Sequence, residues 1–145
     1  MIAVDTNILV YAHRRDMPQH KAAALRIRGL AEGDDPWLVP WSCVHEFLAV
    51  VTNPRLFKPP TTIDAAVQQV EYWLESPSLT IRGECDGYWP VLRDALRSGK
   101  ATGGAVHDAR IVAVCREHGV SVLWTADRDF SRFPGVRLEN PLSLA

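Results

Sequence analysis

Hydrophobic and polar positions switch between two periods along this chain. Ile2-Ala3-Val4 is a short apolar run rich in β-branching, which reads as a buried strand ending on Asp5-Thr6-Asn7. Ile8 to His13 reads as a short helical turn, and a helix opening at Pro18-Gln19-His20 runs to Leu30 or Ala31 before the turn Gly33-Asp34-Asp35-Pro36. Trp37-Leu38-Val39 is a second strand, stopped by Pro40. A helix follows from about Trp41 to Asn53, and Glu46 is its lone acid among apolar, small or neutral side chains. Thr61 and Thr62 can cap the next helix, with Thr61 three residues before Asp64 as in a capping box. Ile63, Val67, Val70 and Leu74 give that helix its expected buried stripe. Leu79-Thr80-Ile81 is a third strand, and a helix from Gly87 to Arg97 stops at Gly99. A loop carrying Lys100 leads to a helix from about Val106 to His118, ended by Gly119. Val120 to Trp124 is a fourth strand, and a last one lies around Val136-Arg137-Leu138. Strands alternating with helices predict an α/β fold with a mainly parallel sheet of four to five strands, flanked by helices on both faces.

Length and composition add limits. At 145 residues the chain makes one domain, 1–145, large enough to bury its own core. Apolar residues at 47% and charged residues at 23% are a soluble globular balance. A net charge of −1 gives no global attraction to nucleic acid, so any phosphate contact must come from local basic groups, 13 of the 16 being Arg. Arg14, Arg15, Lys100, Arg128 and Arg132 flank the sheet edge of interest in sequence. Cys43, Cys85 and Cys115 form neither a CxxC pair nor a disulfide framework, which predicts buried thiols in a reducing compartment. No signal peptide and no membrane-length apolar run are visible, so a cytoplasmic protein without membrane contact is expected.

The chemistry starts at Asp5. A carboxylate at the end of a buried strand is costly without a cation or donors, and no Lys or Arg occurs before Arg14. Three further acids can share its surroundings: Glu46 on its apolar helix, Asp108 on the same helical face as Ile111, Val112 and Cys115, and Asp127 just after the fourth strand. Asp129 is a fifth candidate, as a ligand or a helix cap. In an open parallel sheet, ligands sit beyond the carboxyl ends of the strands, where Asp5 and Asp127 would meet. Two charges about 4 Å apart repel by about 4 kcal/mol at an effective dielectric near 20, so four acids in one site call for a cation. An all-oxygen donor set suits Mg²⁺ or Mn²⁺, and the chain offers no zinc pattern. His45-Glu46 is not HExxH, because position 49 is Ala.

Each acid has an ordinary reading as well. Asp5 suits a turn, Asp127 a cap for the short helix of Phe130, and Asp108 a helix first turn. Their combination favours a shared site.

Asp5-Thr6-Asn7, Glu46, His107-Asp108-Ala109 and Thr125-x-Asp127-x-Asp129-Phe130, in this order, resemble the PIN domain. Size and element order are most similar to VapC toxins, the ribonuclease halves of bacterial type II toxin–antitoxin pairs. The resemblance implies a PIN-like three-layer fold and a Mg²⁺- or Mn²⁺-dependent endoribonuclease that cleaves RNA with a metal-activated water. It implies Asp5 and Asp108 as the most direct metal ligands, with Glu46 and Asp127 completing the pocket directly or through waters. Asn7 and Thr125 would orient these carboxylates. It also implies a homodimer and a cognate antitoxin partner. One alternative is a catalytically silent PIN-like binding or scaffold module; another is a different acid-pocket, metal-dependent phosphohydrolase. The haloacid dehalogenase type wants an aspartate at position 7, which is Asn.

Overall fold

The computed structural model describes residues 1–143. Strands and helices alternate as the pattern predicts: β1 (Ile2–Val4), α1 (Thr6–His13), α2 (His20–Glu32), β2 (Trp37–Pro40), α3 (Trp41–Val51), α4 (Ile63–Leu74), β3 (Leu79–Arg82), α5 (Tyr88–Ser98), α6 (Ala105–Glu117), β4 (Val122–Trp124) and β5 (Arg137–Glu139), with a 3₁₀ turn at Arg128–Arg132. The strands form one parallel five-stranded sheet in the order β3-β2-β1-β4-β5, with helices packed around it. Ile2 pairs with both Trp37 and Val122, so β1 is the central strand. The chain steps outward from β1 through β2 to β3, then returns to the other side of β1 with β4 and β5. Strand order therefore reverses beside β1, and a crevice opens at the carboxyl ends there.

The core is built on both sides of β1 and β2. Ala3, Val4, Trp37, Leu38 and Leu123 are fully buried from the strands, and Ile8, Leu9, Phe47 and Ala109 close over them from the helices. α1 opens at Thr6, earlier than the expected Ile8, because Asp5 itself caps the helix. Gly119 ends α6 with φ 69°, the left-handed conformation that glycine adopts without penalty.

Three expectations need correction. The stripe predicted to be buried on α4 is largely outside: Ile63 is 60% exposed, Val67 43% and Leu74 52%, while Val70 is partly covered. Ala66 and Trp73 make the buried face instead, Trp73 packing edge-on against Phe47 with centroids 4.8 Å apart. Of the two threonines expected to cap α4, Thr62 does so, its side chain accepting from the Ala65 N–H at 3.2 Å, and the capping box read at Thr61 is not formed. Thr61 is occupied elsewhere, with its hydroxyl 3.0 Å from His13 Nε2 and accepting from Arg14 at 3.2 Å. Finally, Cys43 and Cys115 are buried, but Cys85 is exposed in the turn before α5.

Candidate active site

Asp5 leaves the central strand with its backbone N–H held by the Trp124 carbonyl at 2.9 Å, so the end of β4 fixes where its side chain starts. One carboxylate oxygen, Oδ1, accepts from the Thr6 N–H at 2.7 Å as the cap of α1. The other, Oδ2, accepts from the Thr125 hydroxyl at 2.8 Å and from Asn7 Nδ2 at 3.2 Å. Asn7 also reaches Thr125 at 3.3 Å, and its own oxygen accepts from the Ala126 N–H at 3.2 Å. Asn7 and Thr125 thus grip Asp5 and tie β4 to α1. Burial, opposed by the Thr125 and Thr6 hydrogen bonds and assisted by the negative fields of Glu46 and Asp108, lifts the Asp5 pKa to about 6.

The other acids arrive from three elements. Glu46 points from α3 toward Thr6, whose hydroxyl donates to Oε2 at 3.0 Å. Asp108 sits half-buried in the first turn of α6. Its pKa is also raised to about 6, first by burial and then by Asp127, Asp129 and Glu46, with only slight relief from Arg132. Asp127 caps the 3₁₀ turn by accepting from the Asp129 N–H at 2.8 Å, and its own N–H is held by Thr125 at 3.0 Å. Asp127 is thus a cap that also lines the cavity shared by the other acids.

Asp5, Glu46, Asp108 and Asp127 line one cavity of 390 Å³, together with Asn7. Asp129 stands exposed outside its wall and acts on the site through its charge at Asp108. Among the described residues no three His, Cys, Asp or Glu side chains already close into a finished metal cage. The donor set nevertheless suits a hard divalent cation. Its side-chain donors are carboxylate, hydroxyl and amide oxygens, and burial, added to by the neighbouring acids, holds the Asp5 and Asp108 carboxyls at a raised pKa.

Thr6 was not singled out from the sequence, although it links Asp5 and Glu46 directly. His45 and His107 are exposed beside a neighbouring polar cleft with Arg110. Of the basic residues considered for phosphate, Arg14 is committed elsewhere: it pairs with Asp16 at 2.6 Å and lies 4.3 Å from the Phe57 ring centroid. Arg15, Lys100, Arg128 and Arg132 are exposed.

A parallel sheet with four acids at its switch point defines an α/β domain of the acid-pocket type. Comparison with known proteins narrows this. The PIN domain profile matches residues 2–136. Ribonuclease VapC48 of Mycobacterium tuberculosis (strain ATCC 25618 / H37Rv) is 34% identical over 139 residues, covering 96% of each chain. The structure of Mycobacterium tuberculosis VapC20, described as a sarcin-ricin loop cleaving toxin, superposes with TM-score 0.65 at 21% identity, covering 94% of this chain and 99% of that one. VapBC2 from Rickettsia felis, bound to a DNA fragment from its promoter, gives TM-score 0.64 at 21% identity, with coverage of 96% and 98%. These structures share the three-layer fold. The chain belongs to the PIN-domain family, on its VapC branch.

Proposed function

We propose that this chain is a divalent-cation-dependent endoribonuclease, the toxin of a type II toxin–antitoxin pair acting in the cytoplasm. The observation that carries the reading is the convergence of Asp5, Glu46, Asp108 and Asp127 on one cavity at the switch point of the sheet. The relatives' names agree with it, since VapC48 is called a ribonuclease and VapC20 a sarcin-ricin loop cleaving toxin.

Asp5 and Asp108 would hold Mg²⁺ or Mn²⁺, with Glu46 and Asp127 completing the shell directly or through water. When bound, the cation neutralises charge on the scissile phosphate and makes water a competent nucleophile. The protein's part is placement. Asn7 and Thr125 fix the plane of the Asp5 carboxylate, and Thr6 steers Glu46. Asp129 adds negative field at Asp108, which strengthens cation binding there.

The test is RNA cleavage by the purified chain with Mg²⁺ or Mn²⁺ against EDTA. Cleavage needs the cation, and Asp5→Asn or Asp108→Asn removes it. Parent-like cleavage by either variant would sink the site. A folded chain that binds the cation but leaves a broad RNA panel intact would turn the reading toward a silent binding module.

Two partners belong to the proposal. The exposed apolar stripe of α4, with Ile63, Val67 and Leu74, is the homodimer contact. A cognate antitoxin, by analogy with the VapBC2 complex, delivers a basic side chain into the acid pocket. Titrating the complex with Mg²⁺ checks the second point, because metal and antitoxin then compete.

A further inference from the structure

The cavity does not stop at its acids. Past Asn7 the wall becomes apolar, formed by Val10 and Tyr11 of α1, by Met17, and by Leu56 and Phe57 from the loop after α3. Cation binding uses none of this surface. Leu56 stands 60% exposed at the rim, and Phe57 is buried into the wall. Arg14 packs against the Phe57 ring, 4.3 Å from its centroid, and is itself bonded to Asp16 and Thr61. The notch on the Arg14 side of Phe57 carries Arg15 and Lys58, both exposed.

The acids and the apolar, aromatic bay line one cavity, and Lys58, the residue after Phe57, lines a second one with Arg15 and Asp16. A stretch of RNA presents matching parts: the bond to be cut, a flat base, and the next phosphate. We propose that the bay receives one unstacked nucleobase beside the scissile bond, while Arg15 and Lys58 hold a flanking phosphate. The inference rests on the ribonuclease reading of the acid end. A paired base inside a duplex cannot enter a walled bay without leaving its stack, so the base it takes is an unpaired one. A protein side chain is the rival occupant. It would fill the bay but gives no role to Arg15 and Lys58.

Met17 makes the test direct, since the chain has two methionines and one lines the bay. The folded protein, methyl-labelled at methionine and held in Mg²⁺, is titrated with each of the four nucleoside 5′-monophosphates and with ribose 5-phosphate. At least one nucleotide moves the Met17 methyl signal upfield by the ring current of its base. It half-saturates at a concentration at least about tenfold below that of ribose 5-phosphate. Leu56→Asp, at an exposed position that leaves the core intact, removes this preference. Equal responses to nucleotide and ribose phosphate, or none, would overturn the proposal and leave the bay to a protein side chain. RNA cleavage on the same preparation separates the two readings. Cleavage without the ring-current shift overturns the base pocket alone, and the shift without cleavage overturns the nuclease reading while the base pocket stands.

Discussion

Burial raises the pKa of both Asp5 and Asp108, but only Asp5 is held by hydrogen bonds, and substitution separates the two. Asp5 is buried and accepts from Thr6, Asn7 and Thr125, so an Asn there must turn a donor toward a donor. Asp108 accepts no side-chain hydrogen bond among the described residues and faces other acids. Asp108→Asn therefore relieves repulsion at no hydrogen-bonding cost. It should stabilise the metal-free protein at about pH 7.5 by on the order of 1 kcal/mol after solvent screening, read by urea unfolding in EDTA. For Asp5 the sign follows from linkage. Its folded pKa of about 6 lies above the ordinary value of 3.8, so the folded state keeps a proton that the unfolded chain has released. That stabilisation is complete below about pH 4 and is lost as pH rises through about 6. Wild-type stability relative to Asp5→Asn should fall by about 3 kcal/mol between about pH 4 and pH 7.5 in EDTA. A pH-independent difference would mean that burial does not strain this carboxylate. At this scale the sequence was legible where an acid lacked a basic neighbour, as at Asp5 and Asp108. Thr6 escaped notice because its tie to Glu46 spans 40 positions and a threonine in a turn carries no chemical signal of its own.

Among the elements, α4 and α5 show what periodicity can and cannot tell. An apolar stripe on α4 was visible, but its partner was not. Within this chain the helix turns Ala66 and Trp73 to the core and leaves Ile63, Val67 and Leu74 in solvent. Val67→Glu should leave the fold intact and, on the proposed α4 contact, convert a dimer to a monomer in sedimentation velocity; a monomeric parent or an unchanged dimer would overturn that contact. The end of α5 was read correctly at Gly99 for the wrong cause. Gly99 has φ −85°, a value open to any residue. A Cβ there would lie 2.5 Å from the Phe133 ring, so glycine is needed for space. Gly99→Ala should cost about 1–3 kcal/mol in thermal or urea unfolding, by overpacking α5 against Phe133. No local pattern reveals such a contact, because Phe133 belongs to the segment after β4.

For the whole molecule, alternation of strands and helices was enough to predict the parallel sheet, and the carboxyl-edge rule was enough to gather the acids. Strand order was not legible, since short β-branched runs carry no label of their neighbours. That order decides how the pocket comes into being. β1 lies between β2 and β4, and Thr125 grips Asp5 across 120 positions of chain. Asp108 and Asp127 also come from the late elements α6 and the turn after β4. During translation a growing chain therefore carries only an incomplete set of acids until β4 has emerged and slid in beside β1. While the chain is still being extended its acids stand apart, and whatever chemistry they perform together begins only when the last of them has folded into place.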